Sequence, residues 1–261
     1  MPGMVAALRR GLLVGAEAAI ADDGPAQLPV ELPPALVAEL VSLAEACEAS
    51  LQTVLLASWG LLLARVCGQD RLALAFRQAG GGKSSAVAGD ASVDLWVDVS
   101  EAPSLAMLAA TIEGQLRGNG ADEQARDAEM GAGAAFTWCA EGAATDLADA
   151  GMAGGEAGAA LELRLGLDAG SVCGFIACRE SWLPPAQLQR LAGYLRELLQ
   201  SMVGSARQPV DRLSLLDATQ RRQAIEHGND TAAVFPDTLC IHELFEAQVA
   251  RTPEAIALVH G

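Results

Sequence analysis

The three histidines of this chain set the first limit on its chemistry. They are His227, His242 and His260, so residues 1–210 contain none. An imidazole is the usual general base near neutral pH, and Ser-His-Asp and Cys-His sites both depend on one. Such a site within residues 1–210 is therefore excluded.

Two short stretches are similar to ligand-binding motifs but lack an essential member. Gly81-Gly82-Lys83-Ser84 matches the end of a phosphate-binding loop, whose pattern requires a further glycine where Arg77 stands. His242 and Glu243 begin a helix like that of zinc proteases, but the pattern requires a second histidine where Glu246 stands, and no third ligand is evident. We expect the first to be a flexible turn and the second to bind no metal.

Asp94 and Asp98 are the remaining candidates, because they lie on one face of a predicted strand. Neighbouring carboxylates can act as acid and base, but a solvated polar face is the simpler interpretation. We therefore predict no catalytic residue, no cofactor-binding residue and no metal ligand in this chain.

The composition favours a globular protein that does not bind nucleic acid. Of 261 residues, 51% are hydrophobic, which is enough for a sizeable core. The net charge is −16, from 33 acidic and 17 basic residues. Nucleic acid and anionic membrane surfaces both require clustered lysine and arginine, so both are argued against as partners.

Cysteine spacing and short apolar runs predict a cytoplasmic protein. The six cysteines form no Cys-x-x-Cys pair and are interpreted as buried thiols in a reducing compartment. The apolar run after Arg9-Arg10 ends at Glu17, which makes it too short for a signal peptide. The apolar helix predicted over Leu51–Val66 is shorter than a membrane span.

Hydrophobic periodicity predicts an α/β fold, a two-layer sandwich of a mixed sheet with helices packed on it. The central helix has Ser50 as its N-cap and ends at Gly68, and its apolar face is wide. Other helices are predicted to begin near Pro34, at Ser100–Pro103 and near Pro184. The predicted strands are 72–76, 93–99 and 134–139 and a hairpin over 161–178, with 28–33 as a short extended piece that its prolines interrupt.

The residues after position 212 carry a specific series of motifs. The groups that occur in order are Leu213-Ser-Leu-Leu216, Gln220-Arg-Arg222, Asn229-Asp-Thr231, Phe235-Pro236 and Ile241-His-Glu-Leu-Phe-Glu-Ala-Gln-Val-Ala-Arg-Thr-Pro-Glu254. The series resembles the linker from a condensation domain to an adenylation domain in non-ribosomal peptide synthetases. Its last group is similar to the first helix of the adenylation domain, and a strand is expected over Ala255–Val259.

The preceding residues resemble the C-terminal lobe of a condensation domain, whose fold is like that of chloramphenicol acetyltransferase. Thr53–Arg65, followed by Gly68-Gln-Asp70, is similar to the central helix of that lobe, and Phe136-Thr-Trp138 to one of its strands. Two family motifs are altered, since Ala91-Ser-Val93 stands where a Val-Asn-Thr run is expected and residues 119–130 lack the expected Pro-Phe.

The resemblance implies four segments. These are residues 1–27, of uncertain structure; 28–208, a truncated condensation domain with its C-terminal lobe only; 209–238, the linker; and 239–261, the first helix and strand of a truncated adenylation domain. The family's catalytic motif, His-His-x-x-x-Asp-Gly, belongs to the N-terminal lobe, and no His-His pair occurs here. The resemblance therefore implies an inactive fragment of a synthetase that is itself an enzyme.

Three functions follow from the resemblance as hypotheses. The lobe acts as a non-catalytic structural platform for an adenylation domain in cis, as a docking surface for a carrier protein or another synthetase subunit, or as half of a condensation enzyme that a second chain completes. ATP-Mg and phosphopantetheine are implied only for downstream domains, and no cofactor is expected in this fragment.

Overall fold

A six-stranded sheet is the centre of the structure, a computed structural model that describes residues 26–79, 93–118, 133–139, 159–178, 183–229 and 240–256. The strands are β1 (Ala26–Leu32), β2 (Arg71–Ala79), β3 (Val93–Asp98), β4 (Ala134–Cys139), β5 (Leu161–Asp168) and β6 (Ser171–Cys178). The helices are α1 (Pro34–Ala46), α2 (Leu51–Cys67), α3 (Leu105–Leu116), α4 (Pro185–Met202), α5 (Ala218–Asn229) and α6 (Ile241–Arg251). The stretch 81–84, the loop 119–130, His260 and residues 1–25 lie outside the described residues.

The sheet is mixed, with strand order β1-β6-β5-β4-β2-β3. β4 pairs in parallel with β2 on one side and β5 on the other. The pairs β1–β6, β5–β6 and β2–β3 are antiparallel. The predicted hairpin 161–178 is β5 and β6, with Ala169 and Gly170 in its turn at positive φ. The predicted α/β fold with a mixed sheet is confirmed.

One face of the sheet, here called the helical face, packs against the helices of the body. Leu161, Leu163 and Leu165 of β5 lie on it and are at most 1% exposed. Trp59 of α2 is fully buried, and its indole N–H donates to the carbonyl oxygen of Ala135 at 3.1 Å. The core is otherwise mostly aliphatic. Burial of apolar surface therefore makes the main favourable contribution to the stability of the body.

The central helix α2 begins and ends as the sequence predicts. The Ser50 hydroxyl accepts a hydrogen bond from the amide of Thr53 at 3.1 Å, and Gly68 ends the helix at φ +63°. Gly60 allows close packing on β3, because a Cβ there would lie 2.5 Å from a methyl carbon of Val97. A side chain at position 60 would therefore push the helix away from the sheet.

Several boundaries differ from the sequence predictions. Residues 26–32 pair with β6 along their whole length despite Pro29, because an edge strand tolerates proline. The helix expected from Ser100–Pro103 begins after Ser104, whose hydroxyl caps the amide of Met107. The strand expected over 72–76 extends over Arg71–Ala79, where β4 continues the ladder.

The chain divides into two compact units, residues 1–217 and 218–261. In the second unit, the side chains described over 218–226 and 240–256 are all exposed. α6 has no buried residue, and Ile241 is 87% exposed. The carboxylate of Glu243 accepts from the amide of Cys240 at 2.7 Å. Cys240 is exposed, and Cys67 and Cys173 in the first unit are half-buried, so the prediction of buried cysteines is correct only for Cys47, Cys139 and Cys178. Residues 255 and 256 are not in a strand, and the rest of the strand expected to 259 lies outside the described residues.

Among the described helices, no single one is long and apolar enough to cross a membrane. α1 and α2 pass the test of length and composition only when taken together, and the chain bends by 96° between them.

Candidate functional site

The residues that the sequence singled out for chemistry do not meet in one place within the described residues. His242 and Glu246 are exposed on α6, and the described residues contain no group of three His, Cys, Asp or Glu side chains suited to a metal. Asp94 is exposed on β3. Asp98 accepts from the Ser100 hydroxyl and from Arg71, each at 2.6 Å.

The environment of Asp98 explains its charge state. Its hydrogen bond from the Ser100 side chain, supported by the Ser100 amide and the Arg71 guanidinium, holds the pKa of Asp98 below its ordinary value. The carboxylate therefore stays ionised and holds β3 to the first residue of β2. Asp98 is half-buried, whereas Asp94 on the same strand is exposed.

A buried polar cluster lies on the sheet face opposite the helical face. The Thr137 hydroxyl donates to Oε1 of Glu162 at 2.6 Å, and the Arg164 guanidinium lies 3.2 Å from the same oxygen. The side chains of Arg164 and Glu162 are only 7% and 3% exposed. The guanidinium also lies over the ring of Phe175, 5.3 Å from its centroid.

This cluster is a satisfied ion pair, and the carboxylate of its only candidate acid or base, Glu162, is already occupied. The Glu162 carboxylate accepts from a hydroxyl and a guanidinium, and the arginine cannot accept a proton from a substrate. Sequence alternation alone places Glu162 and Arg164 opposite the leucines of β5. It contains no signal for their burial, because a strand with one solvated face has the same pattern.

The segment after α4, residues 203–216, is fixed to the body by backbone hydrogen bonds; we call it the anchored segment. The amide of Ala106 donates to the carbonyl of Ala206 at 2.9 Å, and that of Leu105 to Gln208 at 3.1 Å. The amide of Val210 donates back to the carbonyl of Pro103 at 2.9 Å. The anchored segment thus pairs with the residues that begin α3.

Arg65 holds the end of the anchored segment. It stands in the last turns of α2, and its guanidinium donates to the carbonyl oxygens of Asp211 and Leu213. Burial lowers the pKa of Arg65, while the carboxylate of Asp211 opposes that shift. A hydrogen bond from a charged donor is stronger than one from a neutral donor. Because one guanidinium group binds both carbonyl oxygens, it also fixes the orientation of the backbone between them.

Buried side chains complete the attachment. Val210 is 1% exposed and Leu213 is 3% exposed, and both belong to the main core of the body. The Ser201 hydroxyl of α4 lies 3.2 Å from the carbonyl oxygen of Ser214. The path of the chain is therefore determined by the body as far as residue 214.

Curated relatives of the chain are peptide synthetases. No family model matches the chain. It is 38% identical over 100 residues to malpibaldin synthetase of Mortierella alpina, covering 38% of this chain and 2% of that protein. It is 37% identical over 81 residues to malpinin synthetase of the same organism, covering 30% of this chain and 1% of that protein. The chain thus spans a very small part of the length of these relatives.

A relative from Brevibacillus parabrevis also matches the chain over a short stretch. Tyrocidine synthase 3 of Brevibacillus parabrevis is 38% identical over 72 residues, which cover 28% of this chain and 1% of that protein. The similarity to peptide synthetases therefore extends from a fungus to a bacterium.

Solved structures share the fold at low sequence identity. The first condensation domain of the CDA synthetase aligns with a TM-score of 0.51 and 14% identity, over 82% of this chain and 53% of that one. The described fold is thus that of about half of a condensation domain. This fold and the synthetase relatives together confirm the resemblance to a condensation-type region of non-ribosomal peptide synthetases.

Two further solved structures align with the chain. The non-ribosomal peptide synthetase FmoA3 bound to AMPPNP aligns with a TM-score of 0.57 and 16% identity, over 98% of this chain and 31% of that one. The X-domain in its complex with OxyB from teicoplanin biosynthesis aligns with a TM-score of 0.56 and 15% identity, over 82% of this chain and 55% of that one.

Proposed function

We propose that this condensation-type region is a non-catalytic structural platform for an adenylation domain that follows it in the same synthetase. The observation that carries the proposal is Arg65, which binds the carbonyl oxygens of both Asp211 and Leu213. The linker to an adenylation domain that follows would thus leave the body from a fixed point.

The lack of histidine in the body supports the same proposal. Residues 1–210 contain no histidine, and the buried ion pair of Glu162 and Arg164 is satisfied. If a second chain completed a condensation site on residues 1–210, the imidazoles of that site would have to come from outside those residues. A peptide-bond assay with a separate N-terminal lobe tests that alternative, and product above background would favour it over the platform.

A deletion experiment tests the platform directly. In a protein in which this chain precedes an adenylation domain, residues 1–208 are removed, and soluble yield and amino-acid-dependent pyrophosphate exchange are measured. The platform predicts that both fall. Unchanged yield and unchanged exchange would contradict it, because the adenylation domain would then not rely on the body.

Docking of a partner is the second candidate function. It is favoured by the X-domain, which has the same fold and is found in complex with OxyB. In this chain the corresponding partner would be a carrier protein or another synthetase subunit. Titration of labelled carrier protein into the 261-residue chain checks this, and no change in anisotropy up to high micromolar concentration would count against it.

The remaining expectations belong to the same proposal. ATP-Mg and phosphopantetheine would act in domains that follow this region, not within it. The synthetase would work in the cytoplasm, where its free cysteines stay reduced.

A further inference from the structure

β3 is one edge of the sheet, and its outward backbone groups can be identified from its pairing with β2. The amide of Val99 donates to the carbonyl of Asp70 at 2.8 Å, and Val97 lies opposite Leu72. Antiparallel strands alternate between residues that bond inward and residues that bond outward. The backbone N–H and C=O of Trp96, one residue away from Val97, therefore face away from β2, at the edge of the sheet that the described residues form.

Gln115 of α3 occupies both of these outward groups. Its amide oxygen accepts from the Trp96 N–H at 2.8 Å, and its amide nitrogen donates to the Trp96 carbonyl at 2.9 Å. This is the pair of hydrogen bonds that a residue on a neighbouring strand would make. A single side chain thus substitutes for a seventh strand at the middle of the edge.

Charge alone does not protect this edge. In an antiparallel pairing of two β3 strands centred on Trp96, Asp94 of one copy would lie opposite Asp98 of the other, and like charges oppose such pairing. Arg71 already lies 2.6 Å from Asp98 and offsets its charge. Unpaired edge groups promote association of sheets, and natural sheets block them with specific residues.

The other edge of the sheet is blocked in a different way. Pro29 lies at the middle of β1, opposite Phe175, and has no N–H to offer a further strand. The sequence of β3 contains no proline, so the equivalent protection has to come from outside the strand.

We propose that Gln115 prevents β3 from pairing with the β3 edge of a second copy of this chain. The role is independent of the platform, since it concerns the edge of the sheet and not the anchored segment.

The test replaces Gln115 with methionine, which has a similar length and makes neither hydrogen bond. Sedimentation velocity on the 261-residue chain is run over a concentration series. We expect Gln115→Met to form a dimer at concentrations where the wild type is monomeric. At low concentration, hydrogen exchange at the Trp96 amide should be about fivefold faster, as expected for one lost hydrogen bond. Gln200→Met, at an exposed position of α4, is the matched control and should behave as the wild type.

A second variant separates strand pairing from general loss of stability. Asp94→Pro in the Gln115→Met background removes another outward N–H without affecting the bonds to β2, and it also removes a repelling charge. The proposal predicts that the double variant is monomeric again. A monomeric Gln115→Met, or a double variant that still associates, would overturn it.

Discussion

The anchored segment and helix α6 contain similar residues but differ in their surroundings. Both carry apolar side chains among polar ones. Leu213 of the anchored segment is 3% exposed, whereas Leu244 of α6 is 36% exposed and Phe245 is 59% exposed. The predicted linker, 209–238, thus begins with residues that are part of the core of the body.

The difference lies in the partners that each segment finds within this chain. The anchored segment meets the ends of α2, α3 and α4, which supply Arg65, backbone amides and apolar contacts. α6 belongs to the second compact unit, which contains no described residue that is buried. The body therefore determines the path of the chain as far as residue 214. Under the proposed function, α6 would pack against the adenylation domain to which it belongs.

The anchored segment can be held in place only if the body is folded. The largest effect is therefore expected from a substitution that destabilises the body itself. Arg164→Met leaves the buried carboxylate of Glu162 without its ion-pair partner, and we expect a loss of about 3–5 kcal/mol in the free energy of unfolding. Urea denaturation of the 261-residue chain measures this. The double variant with Glu162→Leu removes the unpaired charge and should recover part of the loss; no recovery would contradict the assignment of an ion pair.

The difference in burial of apolar side chains between the anchored segment and α6 is tested by two matched leucine-to-alanine substitutions. Leu213→Ala should cost about 2–4 kcal/mol of unfolding free energy, because it opens a cavity in the core. Leu244→Ala on α6 should cost less than about 0.5 kcal/mol, because a surface residue away from special features contributes little. Thermal denaturation of both variants checks the difference. Equal losses would mean that the anchored segment is no better packed than α6.

The hydrogen bonds that hold the anchored segment are tested by substituting two arginines. Arg65→Met removes two hydrogen bonds to carbonyl oxygens, and we expect a loss of about 2 kcal/mol. Arg71→Met is the control, because the Arg71 side chain is 69% exposed and exposed pairs contribute less than about 1 kcal/mol. Hydrogen exchange of residues 203–216 should rise in the first variant only. Unchanged exchange in Arg65→Met would show that the guanidinium does not hold the segment.

The helix that carries Arg65 is held at its other end by Glu113. The carboxylate of Glu113 accepts from the Thr53 hydroxyl and from the Ser50 amide. Burial works against the ionised form, but these hydrogen bonds and Arg117 outweigh it and lower the pKa of Glu113.

This pKa shift predicts a pH dependence with a definite sign. Because the folded-state pKa of Glu113 is depressed, its stabilisation is present above its ordinary pKa, 4.5, and is lost as pH falls through the lower folded value. Glu113→Gln should cost about 1 kcal/mol at neutral pH. The gap to the wild type should narrow on acidification, as measured by denaturation between pH 7 and pH 3. A gap that widens on acidification would contradict the assignment.

The smallest expected effect is a difference in the rate of alkylation between two cysteines. Burial raises the pKa of Cys67, near the end of α2, to about 12, so its thiolate is scarce at pH 8. Cys240, before α6, is exposed. Iodoacetamide at pH 8 should modify Cys240 first, with peptide mass spectrometry as the readout. Faster labelling of Cys67 would mean that this end of α2 opens easily.

Much of the fold could be predicted because local signals agree with the final packing. Ser50 and Gly68 cap α2 as their residue types predict, and alternating leucines identify β5. The extent of β1 could not be predicted, because Pro29 argues against a strand unless its position at the edge of the sheet is known.

The candidate site was harder to predict, because it depends on contacts between distant residues. Arg65 and Leu213 are separated by 148 positions, and nothing in either local sequence indicates a hydrogen bond between them. Gln115 and Glu162 likewise have ordinary positions on a helix and a strand. Burial of Glu162 depends on what covers its face of the sheet, and alternation carries no information about that.

The central claim is that the body supports an adenylation domain through the anchored segment. The most direct measurement is amino-acid-dependent pyrophosphate exchange after heating, for a synthetase that contains this chain as wild type, Arg65→Met or Arg71→Met. We predict that Arg65→Met loses exchange at a lower temperature than the other two. Loss at the same temperature in all three proteins would contradict the claim.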